Sequence, residues 1–168
     1  MNTGKTIALG FALLVTAVAG CGTSSVGGGA TSGPIACTEI GCGDAFRVEF
    51  TRASWPAGTV NVVVDADGTT TNCSVTLPFA SCDAAPQCDQ ASPPFLLELV
   101  GCALPPAQQT IGGIFWPTTG PQQVTVTISQ DGTMLGTQMF QPTYSMSSPN
   151  GPDCPPVCNQ APSATLAL

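Results

Sequence analysis

The chain has 168 residues, a formal net charge of −7, three basic residues and no histidine. This acidic balance excludes nucleic acid as a partner, because gripping a phosphate backbone needs a basic footprint. Only 8% of the residues are charged, so serine, threonine, asparagine and glutamine must supply much of the polar surface.

Lys5 and the α-amino group precede an apolar run over residues 7–19, IALGFALLVTAVA. The run is too short to span a bilayer comfortably as a permanent helix, and it stops at a polar Gly/Ser/Thr stretch, the pattern of an export signal. It ends in Val18, Ala19, Gly20 and Cys21. The string VAGC resembles the lipobox of bacterial lipoproteins. The resemblance implies a signal peptide over residues 1–20, cleavage before Cys21, diacylation of the Cys21 sulfur and acylation of the new amine, palmitate being a typical chain. Gly22 in place of an aspartate leans the resemblance towards the outer membrane, on its periplasmic or its surface face. The alternative is a soluble secreted protein cut after Ala17 or Ala19. Each buried lipid CH₂ contributes about 0.8 kcal/mol, so several chains on one cysteine would hold the protein to a membrane without a spanning helix.

Residues 22–34, GTSSVGGGATSGP, cannot bury enough apolar area to fold and read as a flexible tether. Its end-to-end distance is about 20 Å. The expected organisation is therefore a signal over 1–20, a lipidated cysteine with its tether over 21–34, and one domain over 35–168. Past the signal, ten acids face two arginines, Arg47 and Arg52, a net charge of −8.

From residue 45 the pattern turns to period two. AFRVEFT puts Phe46, Val48 and Phe50 on one face, and TVNVVVDA does the same with Val60, Val62 and Val64. Asp67-Gly68 follows, a strong hairpin signal because both residues tolerate positive φ. TTTNCSVTL, PFLLELVGC, TIGGIFW and QQVTVTISQ continue the series, and Asp131-Gly132 makes a second hairpin into TMLGTQMFQ. The Gly112-Gly113 pair marks a bulge, and Ala164, Leu166 and Leu168 form a last edge strand. The expected fold is all-β: an antiparallel, disulfide-braced sandwich of about seven strands, immunoglobulin-like or fibronectin-like. Trp55-Pro56 through Asp67-Gly68-Thr69 parallels Trp116-Pro117 through Asp131-Gly132-Thr133. A duplication and convergent hairpin chemistry explain this equally well.

Besides Cys21 there are eight cysteines: Cys37, Cys42, Cys73, Cys82, Cys88, Cys102, Cys154 and Cys158. An even number behind an export signal implies four disulfides. Of the 105 possible connectivities, the favoured set is Cys37–Cys42, Cys73–Cys102, Cys82–Cys88 and Cys154–Cys158. The CTEIGC opening and the proline-rich cysteine turn near the C-terminus resemble small cysteine-rich envelope lipoproteins of unknown function, a resemblance that implies no activity.

The remaining chemistry is sparse. Without histidine there is no Ser-His-Asp triad, and without lysine beyond Lys5 the folded domain has no Schiff-base amine. Paired acids are left for a carboxylate hydrolase, but Asp65 and Asp67 fit turn chemistry and Glu49 fits a weak surface ion pair with Arg47. Asp83 with Asp89 is thin support for calcium. Met134, Met139 and Met146 suit copper(I) as ligands but fit core filling better. Trp55 and Trp116 either stack on sugars or close the ends of the core. No cofactor and no metal are expected. The leading expectation is a non-catalytic binding module for a protein or glycan, using loops 78–94 and 103–110. A structural accessory subunit comes second, and a carboxylate hydrolase is remote.

Overall fold

A computed structural model describes residues 36–168. The signal segment, Cys21 and the tether lie outside the described residues. Among the described residues the fold is all-β, with one short 3-10 turn at Pro106–Gln108. The strands are β1 (Phe46–Thr51), β2 (Gly58–Ala66), β3 (Thr69–Leu77), β4 (Gln87–Cys88), β5 (Leu96–Val100), β6 (Thr110–Trp116), β7 (Val124–Gln130), β8 (Thr133–Phe140), β9 (Ser145–Ser147), β10 (Cys158–Gln160) and β11 (Ala164–Ala167). The sequence reading places all seven long strands and β11. The structure adds the short strands β4, β9 and β10.

One sheet has the order β11-β1-β6-β5, a second β4-β3-β2-β7-β8, and β9 pairs with β10 alone. The inward rows of the two large sheets meet in one core. Val60, Val62, Val64, Val124, Val126 and Ile128 from one sheet and Val48, Ile114 and Trp116 from the other are at most 1% exposed. Full burial of such side chains contributes about 1.5–3 kcal/mol each. The expectation of purely antiparallel pairing is corrected at one place: β11 runs parallel to β1, with Val48 beside Ala164 and Phe50 beside Leu166. Parallel pairing forms because the chain returns through the long segment after β8 and enters β11 in the same direction as β1.

Both Asp-Gly pairs are turns with positive φ, 50° and 81° at Asp67 and Gly68, 49° and 81° at Asp131 and Gly132. The predicted bulge is also present. Glu98 pairs with Gly113 and Leu99 with Ile111, which leaves Gly112 unopposed. A Cβ on Gly113 would collide with the Val48 carbonyl oxygen of the neighbouring strand, so glycine is required there.

The repeat seen in the sequence has a structural counterpart. Glu49 faces Gly113 across β1 and β6, and Val63 faces Thr127 across β2 and β7, each residue opposite the position 64 further on. The turn aspartates obey the same offset. Asp67 accepts from the Gln122 and Gln123 amides where β7 begins, and Asp131 accepts from the Thr59 amide where β2 begins. Two β-β-β units, β1-β2-β3 and β6-β7-β8, are thus related by an approximate twofold axis.

All four expected disulfide pairings are corrected. The bridges are Cys37–Cys154, Cys42–Cys158, Cys73–Cys88 and Cys82–Cys102. The first two follow from the parallel β1–β11 contact, which lays the two approach segments side by side in the same sense. Asn150 reinforces them, accepting from Thr38 Oγ1 and the Ile40 amide and donating to the Ile40 and Pro155 carbonyls. Cys73 is not bonded to Cys102, which lies in the loop after β5 and pairs with Cys82 of the 78–86 loop. Cys73 bonds instead to Cys88, its direct neighbour on β4.

The entry end of the domain therefore holds the cysteine clamp, the Asp67-Gly68 turn and the 117–123 loop. Tyr144 ties these together by donating to the Pro121 carbonyl at 2.8 Å. Burial, and secondarily the negative charge of Asp67, pushes its phenol up to about 12. Tyr144 is the one tyrosine of the chain, so near-ultraviolet absorbance reads it alone. Its phenolate should form with a midpoint near 12 in the folded protein and near 10 after unfolding and reduction. Because the folded value is the higher one, this group's stabilisation is complete below pH about 10 and is lost between about 10 and 12.

Candidate functional site

The opposite end of the sheets carries four connections: residues 52–57, 78–86 and 101–109 and the Asp131-Gly132 turn. Prolines at 56, 78, 86, 105 and 106 stiffen the chain here. Two buried glutamines join the loops. Gln109 accepts from the Phe79 amide at 2.6 Å and donates to the Cys102 and Leu104 carbonyls. Gln130 accepts from Arg52 Nη1 at 2.6 Å and donates to the Pro56 carbonyl at 2.7 Å. Cys82–Cys102 locks the second loop to the third, and the Arg52 guanidinium lies over the Trp55 ring at 5.2 Å. The sequence-derived loop candidates are therefore brought together in part. Residues 78–86 and 103–109 meet at this end, whereas residues 87–94 turn away along β4. Gln109 and Gln130 left no mark in the sequence, where a glutamine beside prolines or a turn reads as solvated.

From this end a stripe of exposed aliphatic side chains, broken by Glu98, descends the side of the domain. Leu104, Val100 and Leu96 are 49%, 43% and 51% exposed. Beside Leu96 opens a cleft of about 470 Å³ between β4 and β5, lined by Pro86, Cys88, Pro93, Phe95 and Leu97. A second hollow of about 260 Å³ lies above it, against Phe79, Ala84 and Leu99. The stripe exists because β5 and the two-residue β4 are the free edges of their sheets. On the far side β8 packs against β11, with Gly136 under Leu168.

The other candidates resolve as follows. Trp55 and Trp116 are 6% and 1% exposed, so both close the core and neither is offered to a sugar. The methionines overturn the expectation of core filling: Met134, Met139 and Met146 are 66%, 55% and 79% exposed, because they sit on the edge strand β8 and on β9. Arg47 does not pair with Glu49. It bonds Asp44 at 2.9 Å and Glu98 at 2.7 Å. Burial lowers its pKa, but the bonds and charges of the two acids outweigh this and raise it. Asp65 accepts from the Gly68 amide and Thr70 Oγ1, as turn chemistry requires. Asp89 is held by Asn72, whose side chain and amide lower its pKa, while Asp83 is exposed on its loop. Among the described residues no group of three or more potential ligands could hold a metal, and five surface clefts are each lined by at most one carboxylate.

Four disulfides indicate an oxidising, extracytoplasmic environment. No helix among the described residues is long and apolar enough to cross a membrane. Comparison with protein-family models, curated proteins and solved structures finds no match.

Gln109→Leu should destabilise the domain by about 1–3 kcal/mol, since it strands the buried Phe79 amide and weakens the 101–109 loop. Urea denaturation measures this. Hydrogen exchange should rise at residues 78–86 and 101–109 and stay unchanged in the cysteine clamp.

Proposed function

We propose that this chain is a lipid-anchored envelope protein, held to a membrane through acylated Cys21, whose folded domain is a non-catalytic module for binding a protein partner. The observation that carries the reading is the separation of the two ends. The chain enters the domain beside the cysteine clamp, and the braced loops lie at the other end of the strands. An anchor at Cys21 would then leave the loops and the Leu104–Val100–Leu96 stripe free to meet a partner. Exposed aliphatic side chains with the tryptophans buried favour a protein surface over a glycan.

The strand order supports a variable-type immunoglobulin arrangement. β4-β3-β2-β7-β8 occupy the places of C″-C′-C-F-G, and β1, β6 and β5 those of B, E and D. The place of strand A is filled from the other end of the sequence by β11, parallel to β1. In this arrangement residues 52–57, 78–86 and 131–132 correspond to the B–C, C′–C″ and F–G loops. A second reading, a structural subunit of a larger envelope assembly, is favoured by the exposed edge of β5, which is suited to adding a strand from a neighbour. The Gly112 bulge opposite β5 twists that edge and works against it.

Labelling with radioactive palmitate tests the anchor. The native chain should incorporate label and fractionate with membranes, and Cys21→Ala should lose both. A photoreactive side chain at Leu104 or Leu96 should crosslink a second protein in cells, and one at Thr165 on β11 should not. Equal crosslinking at all three positions would remove the case for this face.

A further inference from the structure

The outer faces of the two sheets differ in charge. That of β11-β1-β6-β5 carries Arg47, Glu49 and Glu98. That of β2, β3, β7 and β8 is built from hydroxyls and amides, with rows such as Ser74–Asn61–Ser129 and Asn72–Val63–Thr127–Thr137 running across the strands. Its carboxylates, Asp65 and Asp89, stand at the rim near the entry end. Val63 lies at the centre, half-buried, and Met134 and Met139 are exposed along the β8 border.

We infer that this face pairs with the same face of a second copy of the chain. Ten acids against two arginines make copies repel one another. The other sheet carries Arg47, Glu49 and Glu98 on its outer face and the loop end carries Arg52 and Asp83, whereas this face can meet itself with its centre free of charge. Interface centres are depleted of charge and enriched in methionine. The area is sufficient: four strands about 4.8 Å apart and about 25 Å long give roughly 500 Å² in projection per copy. Two copies bury about 1,000 Å², the level at which specific interfaces begin. The pairing rests on the face alone and not on the lipid anchor at Cys21.

Sedimentation equilibrium of the purified full chain in density-matched detergent should give twice the chain mass at micromolar concentration. Asn61→Glu and Thr127→Glu, each at a half-exposed outward position, should restore the single-chain mass while circular dichroism and unfolding midpoint stay near those of the native protein. Glu49→Lys, on the other sheet, should leave the pair intact. A single-chain mass for the native protein throughout, or a pair that survives both glutamates, overturns the inference. Retardation of that single chain in native gels by a neutral polysaccharide, abolished by Thr127→Glu, would assign the face to a glycan instead. A chain that pairs but takes up no palmitate would refute the anchor and leave the pairing standing.

Discussion

Cys37–Cys154 and Cys42–Cys158 join the two ends of the domain across sequence separations of 117 and 116 residues. In the chain-entropy model, closing a loop of about 100 residues restricts the unfolded chain by about 4–5 kcal/mol. The second bridge then closes only a small extra ring, and its effect is local order. Their structural consequence is that β11, a four-residue strand too short to hold an edge by itself, stays beside β1. From there Leu166 enters the core and Leu168 covers Gly136 of β8. This closes one side of the two sheets. The other side, between β4 and β5, has no such cover, and the aliphatic stripe and both clefts lie there.

Within that frame the domain is built twice over. Each β-β-β unit contributes one strand to the first sheet and a hairpin to the second, and each hairpin turn caps the opening of the other unit's hairpin through its aspartate. A small, weakly charged domain gains from this arrangement, because the turn carboxylates satisfy amides at strand starts that would otherwise face water. The two ends are then finished differently. Disulfides and Asn150 fix the entry end, while Gln109, Gln130 and Cys82–Cys102 brace the loop end.

What could be read in the sequence was local. Period-two alternation marks β1, β2, β3 and β7 because half-buried strands expose every second residue. The Asp-Gly turns are visible because their backbone demands those residues. Connectivity was hidden. A parallel contact between residues over a hundred apart leaves no trace in spacing, so neighbouring cysteines looked like partners. The methionines misled because an apolar side chain on an edge strand has the same letter as one in a core. The candidate site was legible as loops but not as a site, since Gln109 acts through a hydrogen bond to Phe79, thirty residues away.

Bridges between the two ends of the domain hold β11 in place. Peptide mapping without reduction, followed by mass spectrometry, tests this most directly. A crosslinked species joining the 36–46 segment to the 148–160 segment through Cys37–Cys154 and Cys42–Cys158 is expected. Finding Cys37 bonded to Cys42 and Cys154 to Cys158 would contradict this, because nothing covalent would then join the two ends.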